Sequence, residues 1–79
     1  NYFEMTPIIA VNMYHIESVE YKCGDTTIRI RLSGKEDGKP FATVEDYKYS
    51  DSDKCKDKYT KLMKAIKDGK WMEQRRLHQ

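Results

Sequence analysis

The side chains that most often do chemistry are few in this chain and widely spaced. Its cysteines are Cys23 and Cys55, and its histidines are His15 and His78. A structural zinc site needs four such ligands at short, recurring spacings, and these four do not provide them. His15 stands between Tyr14 and Ile16 in an apolar stretch, which suits a packed side chain better than a general base. His78 lies at the C-terminal end, where a proton-transfer group is hard to hold in place. Cys55 falls on an apolar helical stripe, so packing is its expected role. Cys23 lies beside a turn, with no basic cluster nearby to favour its thiolate. The run "DSDKCKD", Asp51 to Asp57, puts aspartates at three calcium-loop positions. The loop glycine is replaced by Lys56 and the closing glutamate by Leu62, so a calcium loop is excluded. No nucleophile elbow, zinc-protease helix motif or phosphate loop occurs. The expectation is a protein without catalysis, cofactor or metal.

Charge is the other source of chemistry. The net charge is only +2, but residues 1–47 carry five basic and eight acidic side chains, and residues 48–79 carry ten and five. The segment "KCKDKYTKLMKAIKDGKW", Lys54 to Trp71, holds seven lysines in eighteen residues. At 100° per residue, Lys54, Lys58 and Lys61 flank one side of the apolar stripe and Lys56 and Lys67 the other, while Lys64 points away from it. Lysines spread around a whole polar arc solvate a helix and can neutralise phosphates. They do not make a base-reading helix, which concentrates Arg, Asn or Gln.

Seventy-nine residues are expected to form one domain burying roughly 60–65% of the unfolded surface. Residues 1–6 are expected to be vector-derived or loose, with Met5 a candidate start, and residues 73–79 to form a loose polar tail. Free thiols and no apolar run of membrane-spanning length suit a cytoplasmic protein.

Pro7 to Ile16, "PIIAVNMYHI", reads as a first strand, buried on both faces at Ile8–Val11. "ESVEYKC" and "TTIRIRL" alternate apolar and polar residues about Gly24-Asp25, a pair suited to a two-residue type II′ turn. That turn pairs Cys23 with Thr26, Tyr21 with Ile28 and Val19 with Ile30 on one face. On the other it pairs Glu20 with Arg29 and Lys22 with Thr27. "SGKEDGKP", Ser33 to Pro40, reads as a loop. "FATVEDYKY" is a fourth strand with two open registers. Either Ala42 and Val44 point inward, or Phe41, Tyr47 and Tyr49 do. Ser50 or Ser52 is the expected N-cap of a helix whose first turn holds Asp51 and Asp53. Its apolar stripe is Cys55, Tyr59, Leu62, Met63 and Ile66, and Gly69 is the expected stop. The fold expected is α+β: a single antiparallel sheet of about four strands, order β-β-β-β-α, with one amphipathic C-terminal helix across a face.

With Ala42 and Val44 inward, the outer sheet face would hold Lys22, Arg29, Arg31, Phe41 and Tyr47. Aromatic rings among arginines can stack unpaired bases while the arginines hold phosphates. Lys58, Lys61, Arg75 and Arg76 would add phosphate contacts. The same residue types also anchor protein interfaces. Four strands followed by a helix is an order similar to the Whirly and Pur types of single-stranded nucleic-acid-binding module. It is equally similar to small phage-encoded inhibitors of host or defence enzymes. No motif carries either resemblance, and no residue role follows from it. The leading expectation is a small non-enzymatic module binding nucleic acid, single strands before duplex. The rival is a protein-interaction module such as a phage or mobile-element inhibitor, and a homodimer formed by edge-strand pairing, or by Trp71 and Met72 packing across a two-fold, is a third option.

Overall fold

A computed structural model describes the backbone of residues 1–77 and the side chains of residues 1–69. The chain is α+β with antiparallel sheets and one C-terminal helix, but it builds two sheets rather than one. Strands β1 (Tyr2–Thr6) and β2 (Ile9–Asn12) form a two-stranded hairpin. Strands β3 (Ile16–Glu20), β4 (Thr27–Glu36) and β5 (Lys39–Lys48) form a three-stranded meander, and helix α1 (Ser52–Leu77) follows.

The expected first strand divides because Asn12 interrupts it. The Asn12 side chain accepts a hydrogen bond from Tyr14 N at 3.0 Å and caps a 3-10 turn over Met13–His15. Short amide side chains compete with ladder hydrogen bonds in this way. Residues 2–6 are a strand rather than a loose leader. Phe3 lies opposite Val11, and an irregularity between Glu4 and Thr6 leaves Met5 out of the ladder. Such a bulge can re-aim a side chain, and Met5 is fully buried. Ile8, expected inside, is 90% exposed at the tip of this hairpin.

Two of the expected β3–β4 pairs form, Val19 with Ile30 and Glu20 with Arg29, but the ladder ends there, so Tyr21, Lys22 and Cys23 do not pair with Ile28, Thr27 and Thr26. The turn differs. Asp25 N donates to Lys22 O at 3.0 Å, so the turn runs from Lys22 to Asp25 with Gly24 in its third position at φ +95°. A positive φ in that position is the mark of a type II turn rather than type II′.

Ser33–Pro40 is not a loop. It extends both strands to a two-residue turn at Asp37-Gly38, with φ values of 53° and 78°. Two successive positive φ values define the type I′ hairpin, for which Asp-Gly is a strong signal. The resulting ladder is unbroken from Glu36 opposite Lys39 to Thr27 opposite Lys48. It fixes the face of β5. Tyr47 lies opposite Ile28 and Phe41 opposite Gly34, so the aromatic residues share the face of Ile28, Ile30 and Leu32. Ala42 and Val44 lie on the other face, opposite Ser33 and Arg31.

Helix α1 is capped by Asp51, not by a serine: Asp51 Oδ1 accepts from Lys54 N at 2.8 Å. Cys55 and Leu62 are fully buried, and Tyr59 and Ile66 pack beside them. Met63 is 38% exposed and lies outside the stripe. Gly69 does not end the helix, which continues to Leu77. The helix lies against both β1 and β4, so the two sheets share one core of Met5, Val11, Ile28, Ile30, Tyr47, Cys55 and Leu62. Among the described residues, no helix is long and apolar enough to cross a membrane.

Candidate binding surface

The register of β5 disperses the expected basic and aromatic platform. Arg29, Arg31 and Lys22 stay on the outer side of the meander, while Phe41 and Tyr47 turn to the core side. Tyr47 is 6% exposed, and burial pushes its phenol pKa up, with the Glu45 charge adding to this. Phe41 meets the edge of the His15 ring at 5.1 Å between centroids, with the planes 75° apart. His15 in turn lies over Gly34, where a Cβ would stand 2.9 Å from its Cδ2 atom. Tyr47 is enclosed and the half-buried Phe41 packs against His15, so neither ring stands on the arginine face.

The outer face is polar but internally matched. Arg29 donates to both carboxylate oxygens of Asp46, through Nε at 2.8 Å and Nη2 at 3.1 Å. This bidentate bond raises the Arg29 pKa, and it holds the Asp46 carboxyl below its ordinary value. Arg31 reaches diagonally to Glu20 at 3.4 Å. Lys22 joins Glu20, Asp25, Arg29 and Asp46 around an open groove of about 570 Å³. A surface with both signs interleaved gives little net attraction to a polyanion.

The helix cations are divided in the same way. Lys58 donates to Glu4 O at 3.1 Å and lies 5.6 Å from the centre of the Phe3 ring, so it ties α1 to β1. Lys61 pairs with Asp57 one turn earlier at 2.9 Å. Lys54, Lys56, Lys64 and Lys67 are exposed. The side chains of Arg75 and Arg76, expected to add phosphate contacts, lie outside the described residues.

Cys55 is enclosed and burial pushes its thiol pKa up, whereas Cys23 is exposed; both are free thiols. A small pocket of about 100 Å³ between the 3-10 turn and α1 is lined by Met13, Tyr14, Ile16, Ala65 and Ile66, with Asn1 and Gly69. Among the described residues, no carboxylate, imidazole or lysine lines it. Among the described residues no group of three or more His, Cys, Asp or Glu could hold a metal.

The feature that reading the sequence missed is the free edge of β5. Tyr49 N donates to Thr26 O at 2.8 Å, one step beyond the last paired position. Backbone groups of alternate residues in an antiparallel strand point to opposite sides. Phe41, Thr43, Glu45 and Tyr47 therefore direct theirs to β4, while Ala42, Val44, Asp46 and Lys48 direct theirs outward. β5 is the last strand of its sheet, and Ala42 to Asp46 are exposed throughout. The signal for this edge was Asp37-Gly38, which turns a supposed loop into a hairpin of two ten-residue strands.

The chain matches no model of a protein family, no curated protein and no solved structure in the comparisons made.

Proposed function

We propose that this chain is a small non-enzymatic binding module for protein, taking up an extended segment along the edge of β5. The observation that carries the reading is the uncovered run of outward backbone groups at Ala42, Val44, Asp46 and Lys48 on a ten-residue edge strand. An open edge of this kind is a template for strand addition: main-chain hydrogen bonds supply affinity, and alternate side chains supply selectivity. The groove of Lys22, Arg29 and Asp46 beside it adds charge contacts of both signs. Such contacts suit a protein segment better than a uniformly charged phosphate backbone.

The test is capture from nuclease-treated extract by the wild-type chain and by Val44→Pro. Proline removes an outward donor without removing a charge. A stoichiometric protein that survives nuclease and is lost with Val44→Pro supports the reading. Equal capture by both chains overturns it.

A second reading, sequence-independent nucleic-acid binding, is favoured by the exposed Lys54, Lys56, Lys64 and Lys67 of α1. Binding to a labelled single-stranded oligonucleotide would then weaken steeply as salt rises. No binding at low salt removes it, because the electrostatic contribution is largest there.

A further inference from the structure

The edge of β5 is complementary to itself. We infer that its first occupant is a second copy of this chain, paired antiparallel about a two-fold axis that places Val44 opposite Val44. This deepens the binding-edge reading and rests on it.

Two antiparallel β5 edges can meet in several registers, and the side chains separate them. With Val44 on the axis, Ala42 faces Asp46 of the other copy and Pro40 faces Lys48. On the core side, Thr43 faces Glu45 and Phe41 faces Tyr47. No like charges oppose each other, and the most exposed large apolar side chain of the outer face, Val44 at 50%, is covered. A slip to one side puts Glu45 opposite Glu45, and a further slip puts Asp46 opposite Asp46. Directly opposed like charges destabilise a strand pair. A slip the other way moves Pro40, which has no donor, opposite Asp46 and breaks the ladder inside the pairing. The Val44 register keeps Pro40 at the end.

Natural edges are commonly protected by lysines, prolines or unmatched charges. On β5, Lys39, Pro40 and Lys48 stand only at the two ends. Between them the outward-facing residues are Ala42, Val44 and Asp46, and the Asp46 charge is already held by Arg29. No like charges are thus directly opposed where the axis would pass, and the two Glu45 residues meet only on a diagonal. Pairing there joins two three-stranded sheets into one six-stranded sheet of two-fold symmetry, a closed isologous contact.

The test combines sedimentation with directed crosslinking, in a Cys23→Ser background that removes the exposed thiol. The chain is expected to shift from monomer to dimer as its concentration rises, and Val44→Pro to remain monomeric. Under mild oxidation Val44→Cys is expected to give a disulfide-linked dimer, because residues opposed in a hydrogen-bonded pair lie about 5.5 Å apart at Cα. Asp46→Cys, facing Ala42 instead, is expected not to link. Amide exchange at Ala42, Val44 and Asp46 should slow with concentration, while exchange at Thr43 and Glu45 should not. A monomer at every concentration overturns the proposal, as does linking of Asp46→Cys in preference to Val44→Cys. Either failure leaves the binding-edge reading to be judged by the Val44→Pro capture, which does not require self-association.

Discussion

Tyr49, at the exit of β5, donates its phenol hydrogen to the backbone carbonyl of Met5 in β1 at 2.8 Å. This bond crosses from one sheet to the other between residues far apart in sequence. It fastens the N-terminal hairpin over the core at the point where Met5 leaves its own ladder. Removing the donor with Tyr49→Phe keeps the ring and strands the carbonyl. The expected loss is about 1–3 kcal/mol, measured by urea denaturation at neutral pH.

The same residue sets an alkaline limit. Burial, with Cys55 and Tyr47 adding to it, pushes the Tyr49 pKa up to about 12 from 10.0. The folded state holds the phenol proton more tightly than the unfolded chain does. This contribution is complete below pH 10 and is lost as pH rises toward 12. Tyr21 and Tyr47 are shifted in the same direction by burial. Stability is therefore expected to fall above pH 10, and Tyr49→Phe to fall less steeply. Denaturation midpoints between pH 8 and 11.5 check this; parallel curves for the two proteins would remove Tyr49 as a cause.

Leu62 and Met63 are neighbours in sequence with opposite environments. Leu62→Ala empties a fully buried position and is expected to cost about 2–5 kcal/mol. Met63→Ala removes a side chain that is 38% exposed and is expected to cost about 0.5 kcal/mol or less. Comparable losses in thermal or urea unfolding would mean that α1 is rotated from the orientation described.

The Arg29–Asp46 pair has ideal geometry but an exposed setting, with both side chains more than 40% accessible. Asp46→Asn is expected to change stability little, and by less still in high salt. Because Arg29 lowers the Asp46 pKa, the contribution is present above the ordinary carboxyl range and is lost as pH falls through the folded value. An NMR titration of the Asp46 carboxyl in wild type and in Arg29→Gln reads this directly, and the carboxyl should titrate at higher pH in the variant.

Gly34 carries a constraint that its backbone does not reveal. A Cβ there would meet His15 and Phe41 side-chain atoms at 2.9 to 3.2 Å. Gly34→Ala is expected to displace the imidazole, to change the chemical shifts of His15 and to lower stability. In a His15→Ala background most of that penalty should vanish. An equal penalty with and without His15 would place the cost elsewhere.

The sequence by itself determined the local pieces. Alternation of apolar and polar residues from Val19 to Leu32 set the β3–β4 register, because slipping by one residue would exchange the two faces. The spacing of Cys55, Tyr59, Leu62 and Ile66 set the buried side of α1, because those steps fall on one side of a helix. What only the tertiary structure decided was which pieces share a sheet; the inward face of β5 follows from a local turn signal that the loop reading of Ser33–Pro40 passes over. Phe41-Ala42-Thr43-Val44 alternates two plausible inner faces, so its pattern could not choose. The Asp37-Gly38 turn fixed the register, and with it sent Phe41 and Tyr47 to the core and left Val44 outside. The division of the strands between two sheets was equally hidden. It follows from a single polar side chain, Asn12, bending the chain into a 3-10 turn, and from a bulge aiming Met5 at a helix more than forty residues away. The expected binding face relied on Phe41 and Tyr47, whose directions depend on the Asp37-Gly38 turn. The edge that replaces it consists of backbone groups, which every sequence carries and only a sheet arrangement leaves unpaired.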